Sequence, residues 1–131
     1  MNKIVVQSET TESNLNGLPT STLSTMKLQA LAQKMKRSFS WVMGKIKSKV
    51  LLNSPQKQIV LTILHKNTEV VSLQSSDSIT FQVIEGRLKL ESKNRSVFIN
   101  KGRVLTLNNK EEYTLSNSEE TAYLLTMANI N

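Results

Sequence analysis

From Ile79 to Asn117 apolar and polar side chains alternate in three runs, Ile79–Leu90, Ser96–Leu107 and Asn108–Asn117, punctuated by Gly86, Gly102 and a polar turn. A period of two, with no return at steps of three and four, excludes an amphipathic helix here and predicts consecutive short strands. Each strand has one apolar face to bury, which commits the chain to a small all-β domain.

More strands are predicted on either side. Lys47–Ser54 and Gln58–His65 read as the first two, separated by a turn at Ser54-Pro55. Lys66-Asn67-Thr68 reads as a second turn, where Asn67 can take the left-handed conformation that glycine often supplies. Thr68–Leu73 follows as a strand, and Glu119–Met127 closes the sheet. Eight or nine short strands with closely spaced turns are the signature of a jelly roll or small barrel, with a β-sandwich as the competing architecture.

The chain before position 45 has a different grammar. Residues 1–21 are rich in Ser, Thr, Asn and Glu, lack an apolar period, and predict a disordered polar tail. Within 22–44, Leu28, Leu31, Ala32, Met35, Phe39 and Val42 recur at steps of three and four, and Ile46 continues the series, while Lys27, Lys34, Lys36, Arg37, Lys45 and Lys47 fall on the flanks and the opposite face. This spacing predicts a basic amphipathic helix, capped by Ser21, Thr22 or Ser24 and ending near Ser40–Gly44. Its apolar face is expected to lie on the barrel domain, residues 45–131, with the lysines solvated and Phe39 and Trp41 as anchors.

The net charge of +7 over 131 residues looks like a nucleic-acid signal until it is located along the chain. Residues 13–68 carry nine Lys/Arg and no acidic side chain, whereas residues 69–131 carry seven basic against eight acidic ones. The excess therefore belongs to the helix and the first strands. Phe39 and Trp41 fall close to the apolar stripe rather than among the lysines, so no base-stacking platform accompanies the charge, which argues against nucleic acid or membrane as partners. With no cysteine in the chain, disulfides, zinc–thiolate sites and thiol catalysis are excluded. Ile4-Val5-Val6 is too short for a signal sequence and no apolar run reaches membrane length, so a soluble, cytoplasmic protein is expected.

The spacing within Asn67–Asn117 resembles the cupin family. The second cupin motif is a Gly, five residues, a Pro-x-Gly turn, two residues, a His, and an Asn four positions on. Here Gly102 is followed by Asn108-Asn109-Lys110, then Tyr113, then Asn117, so the spacing is kept while Pro, Gly and His are replaced. The first motif carries a His-x-His pair, a Glu three or four residues later, and a Gly seven residues beyond that. Gly86 then aligns Ile79 with the Glu, Leu73 and Ser75 (or Ser72 and Gln74) with the histidines, and Asn67 near the leading Gly. The resemblance covers about Lys57–Met127 and implies a jelly-roll barrel.

Metal-dependent cupins hold iron, manganese or a similar ion with three His and one Glu, and none of the four stands at the matching positions here. The one histidine, His65, lies on a different strand. No metal or other cofactor is therefore expected. If the family's inward positions carry over, Leu73, Ser75, Ile79, Phe81, Val83, Tyr113 and Leu115 line an apolar interior with one phenol and one hydroxyl. The expected function is that of a non-enzymatic, metal-free barrel that binds a small apolar or aromatic molecule or acts as a structural homodimer, with Lys47–Ser54 near the dimer contact. Two alternatives remain open: an adaptor whose basic helix engages an acidic partner, nucleic acid or membrane, and a metal-independent isomerase or lyase. For the latter, Glu85 and Glu69 are the carboxyl candidates, while Glu111-Glu112 and Glu119-Glu120 read as solvated turn residues.

Overall fold

A computed structural model of the chain describes residues 2–6, 27–38, 44–73, 76–93, 95–108 and 112–129. Ten strands and one helix follow in the order β1 (Asn2–Val6), α1 (Leu28–Lys36), β2 (Ile46–Asn53), β3 (Lys57–Leu64), β4 (Thr68–Leu73), β5 (Ser78–Glu85), β6 (Arg87–Ser92), β7 (Arg95–Asn100), β8 (Val104–Leu107), β9 (Glu112–Ser116) and β10 (Thr121–Ala128). They form two five-stranded sheets, β1-β4-β9-β6-β7 and β2-β3-β10-β5-β8. All pairings are antiparallel except β1 with β4. The two sheets face each other as a jelly roll, as the alternation predicts.

Strand composition follows what each face touches. β6 buries Leu88, Leu90 and Ser92 and exposes Arg87 and Glu91, the one-sided alternation of a sheet whose other face meets water. β3 instead reads Ile-Val-Leu-Thr-Ile-Leu, and Val60 to Leu64 are all buried. Val60 and Leu64 point into the space between the sheets, whereas Leu61 and Ile63 pack on the outer side with Ala32 and Met35 of α1, Leu51, Ile84 and Ala122. Each fully buried Leu or Ile contributes roughly 1.5–3 kcal/mol, so this outer cluster fastens the helix to the sheet.

The helix is shorter than the 22–44 predicted from its apolar spacing. Arg37 N–H bonds to the Lys34 carbonyl, and Ser38 gives both its N–H (3.1 Å) and its hydroxyl (2.7 Å) to the Met35 carbonyl, which turns the chain out of the helix. Lys27 holds the N-cap position without a side-chain cap. The candidate caps Ser21, Thr22 and Ser24, and the expected anchors Phe39 and Trp41, lie outside the described residues. A second departure concerns the polar tail: Asn2–Val6 within it form β1, because Ile4-Val5-Val6 is a β-branched run suited to pairing beside Val70-Val71-Ser72. The remainder of 1–21 lies outside the described residues.

The turns are chemically specified. Ser54 and Lys57 exchange backbone hydrogen bonds around Pro55-Gln56. Asn67 adopts the left-handed conformation expected of it, with φ of 60°. Gly86 (φ 80°) sits where the chain crosses the start of β10; a Cβ there would lie 2.9 Å from the Thr121 Cα.

Candidate functional site

The interior between the sheets is the place a barrel of this kind offers for chemistry. β5 sends Ile79, Phe81 and Val83 into it, β9 sends Tyr113 and Leu115, and β10 sends Tyr123 and Met127. These residues are in contact with one another. Phe81 is 0 % exposed, its ring edge-on to Tyr113 at 5.4 Å between centroids and tilted against Tyr123 at 6.2 Å. Of the residues the sequence assigned to the pocket, Ile79, Phe81, Tyr113 and Leu115 are thus brought together as packed core. Leu73 belongs to β4, but its side chain and all of Ser75 lie outside the described residues. On β4 the residue paired with Tyr113 is Ser72, which hydrogen-bonds the phenol.

Two polar handles penetrate this core. The Tyr113 hydroxyl meets Ser72, and the Tyr123 hydroxyl meets Thr62, whose own hydroxyl is 3.0 Å from that of Ser48. Burial pushes both phenols up from their ordinary value, more than their hydroxyl partners pull them down, so both are neutral hydrogen-bonding groups at physiological pH. Tyr123 is not among the residues expected at the pocket, although the parity of Thr121, Tyr123 and Met127 along the closing strand is a signal for it.

No metal chemistry is built from this donor set. Ile79 has no lone pair to offer, and the phenols and hydroxyls are protonated and hydrogen-bonded to each other. Among the described residues no group of three or more His, Cys, Asp and Glu side chains is close enough to hold an ion. The His65 carbonyl accepts hydrogen bonds from Thr68 Oγ1 (2.8 Å) and Asn117 Nδ2 (3.0 Å). Asn117, the last residue of the second motif, also accepts from the Thr68 N–H at 2.9 Å and donates to the Glu119 carbonyl at 2.7 Å, which ties two loops together at one end of the barrel.

The carboxylates also differ from expectation. Glu85 is not a buried acid with a raised pKa: a hydrogen bond from Lys36 holds its carboxyl below the ordinary range, against the opposing effect of partial burial. Lys36 Nζ lies 2.8 Å from both Glu85 Oε2 and Glu120 Oε2. Burial works to lower the Lys36 pKa, but the two carboxylates outweigh it and raise the value. Lys36 is therefore not a solvated flank residue, and Glu120 is not a free turn acid. Nothing in local sequence signals this triad, because its members come from α1, the end of β5 and the loop before β10.

Concavities among the described residues lie at one end of the barrel, beside Ser54, Gln58, Ser76 and Met127, and against its outer face. One, of about 580 Å³, opens between the start of α1 and β5, lined by Leu28, Ile84, Lys27 and Lys101. No helix among the described residues is long and apolar enough to cross a membrane.

No protein-family model matches the chain, and neither does any curated protein. Solved structures do match. A protein of unknown function from Rhizobium leguminosarum superposes with a TM-score of 0.66 at 15 % identity, covering 83 % of this chain and 99 % of that one. A cupin-2 domain containing protein from Shewanella frigidimarina gives 0.62 at 13 % identity, covering 79 % and 93 %. The cupin-2 domain of an XRE family transcriptional regulator from Enterobacter cloacae gives 0.61 at 13 % identity, covering 67 % and 100 %. The fold is the cupin jelly roll.

Proposed function

We propose that this cupin-fold chain is a non-catalytic, metal-independent module that works as a structural homodimer. The observation that carries the reading is the filling of the interior: Phe81 stands wedged between Tyr113 and Tyr123, where an open cupin would admit a ligand. Occupation of that space by side chains favours a structural barrel over one that binds a small apolar molecule. The donor chemistry points the same way, since the aliphatic Ile79 and the neutral phenol of Tyr113 stand where metal-dependent cupins have a carboxylate and an imidazole.

The dimer contact is assigned to β2. It is one of the two edge strands of its sheet among the described residues, with β8 at the other edge, and it exposes Leu52 while burying Val50 and Leu51. An edge of this kind needs cover, and a second copy supplies it. Three measurements test the reading. Elemental analysis of protein purified without chelators is expected to find no stoichiometric transition metal. Light scattering at high micromolar concentration is expected to give a dimer that Leu52→Lys weakens. Small aromatic probes such as indole are expected to leave the melting temperature unchanged. A monomer, one metal per chain, or clear stabilisation by the probe contradicts the corresponding part of the proposal.

A further inference from the structure

The near-neutral balance of residues 69–131 conceals a local concentration of charge. Six of their seven Lys/Arg, namely Arg87, Lys89, Lys93, Arg95, Lys101 and Arg103, fall within β6, β7 and the turns that bound β7, with Glu91 the one acidic side chain between them. On the solvent face of this hairpin Phe98 is 52 % exposed, although it is a large apolar side chain. The Arg87 guanidinium lies over its ring at 3.8 Å and the Lys89 ammonium at 5.8 Å. The register pairs Lys89 with Phe98, so cation and ring stand side by side across the strands.

β7 is also an open edge. It pairs with β6 and, among the described residues, no strand lies beyond it. Five of its six residues are exposed. The Ser92↔Arg95 pair closes a two-residue turn, and in such a hairpin the closing pair exchanges both hydrogen bonds. Ser96, Phe98 and Asn100 then direct their N–H and C=O groups outward. The Asn100 carbonyl is taken by Arg103 N–H at 2.9 Å, in agreement with that phase, which leaves Ser96 and Phe98 as the open ladder positions.

We propose that β7 is a docking edge for an extended acidic segment of a partner protein, which adds a strand beside Arg95–Asn100, rests an apolar side chain on Phe98, and sets its carboxylates against Arg87, Lys89 and Arg103. Backbone pairing supplies affinity in strand addition, and the flanking side chains supply selectivity. The charge complementarity singles out an acidic occupant, and the open ladder singles out an extended peptide over a vesicle surface or a folded acidic face. The adaptor function that the sequence placed on the basic helix moves to this hairpin, since Lys36 is engaged within the fold and the helix's apolar face is docked on the sheet.

The test uses the full chain and a labelled peptide alternating Glu with Val and Phe. Binding is expected in the micromolar range, weakening at least about tenfold in Arg87→Glu/Arg103→Glu and in Phe98→Ser, and unchanged in the helix variant Lys34→Glu/Arg37→Glu. The same peptide N-methylated at alternate residues is expected not to bind, because it keeps the charges and loses the ladder. Circular dichroism and melting of each variant separate loss of binding from loss of fold. The proposal is overturned if the peptide fails to bind at several hundred micromolar, if N-methylation has no effect, if the helix variant abolishes binding, or if oligothymidylate or anionic vesicles compete it away.

Discussion

Lys36 Nζ lies 2.8 Å from Oε2 of Glu85, and at the same distance it also meets Glu120, so one cation on the helix joins the end of β5 to the approach to β10. The partners are partly solvated, which limits the energy of the pairing. Lys36→Met is expected to cost about 1 kcal/mol, near the upper end for exposed ion pairs, since it also leaves two carboxylates facing each other. Glu85 is lowered from 4.5 in the folded chain, so its contribution is present above that value and is lost as pH falls through the lowered one. Lys36 is raised from 10.5, so its contribution is complete below that value and is lost as pH rises through the raised one. Urea unfolding of both proteins is expected to show a constant difference between about pH 5 and 10 that shrinks in acid. A difference that grows on acidification contradicts the assignment.

Both tyrosines of the chain are buried in the barrel, with Tyr123 beside the fully buried Phe81. Their raised values mean that stability is complete below the ordinary tyrosine value of about 10 and declines above it, as the unfolded chain gains tyrosinate. Tyrosinate absorbance is expected to stay flat past pH 10 and then to rise together with loss of the circular dichroism signal. Ionisation of either phenol near pH 10 in a chain that remains folded would show that the interior is open to water.

Gly86 and Gly102 share a left-handed conformation, with φ of 80° and 83°, and differ in their surroundings. A Cβ at Gly86 would press on the backbone at Thr121, whereas one at Gly102 meets nothing within 4 Å. Gly102→Ala is expected to cost roughly 1–2 kcal/mol from backbone strain alone. Gly86→Ala adds a clash with backbone that cannot swing aside and is expected to cost about 3 kcal/mol or more. Equal melting shifts for the two variants would mean that the crossing of the β5–β6 turn over β10 is looser than described.

Asn117 holds the Thr68 amide, the His65 carbonyl and the Glu119 carbonyl with one side chain, itself buried. Asn117→Ala strands the Thr68 amide, while the His65 and Glu119 carbonyls keep the Thr68 and Thr121 hydroxyls, and a buried unsatisfied donor costs about 1–3 kcal/mol. A loss of about 2–4 kcal/mol is expected once the lost charge-free hydrogen bonds are included. The Thr68 amide is expected to exchange with solvent far faster in the variant, and unchanged protection there would remove Asn117 from its assigned role.

The sequence by itself determined most of the strands, β1 excepted, since in a regular strand a side chain's sheet face follows the parity of its position. Alternation groups Ile79, Phe81 and Val83 on one face and Tyr113 and Leu115 on another, and the cupin resemblance says that these faces point inward, while Gly86, Gly102 and Asn67 mark the turns. The same parity, applied to the closing strand, held the information for Tyr123. The extent of the helix was less legible, because an apolar recurrence past Met35 is compatible with several paths of the chain while the hydrogen bonds of Ser38 choose one.

Only the tertiary structure brought the interior rings and the charged groups together. Whether an inward apolar face lines a cavity or fills it depends on the volume that the opposite sheet supplies, and the rings of Phe81, Tyr113 and Tyr123 meet only when β5, β9 and β10 are brought together. Likewise, Lys36 gains Glu85 and Glu120 across separations that no local pattern encodes. Periodicity is a property of one segment, whereas an ion pair or a filled core is a property of several segments meeting in space, and that meeting is fixed by the fold as a whole.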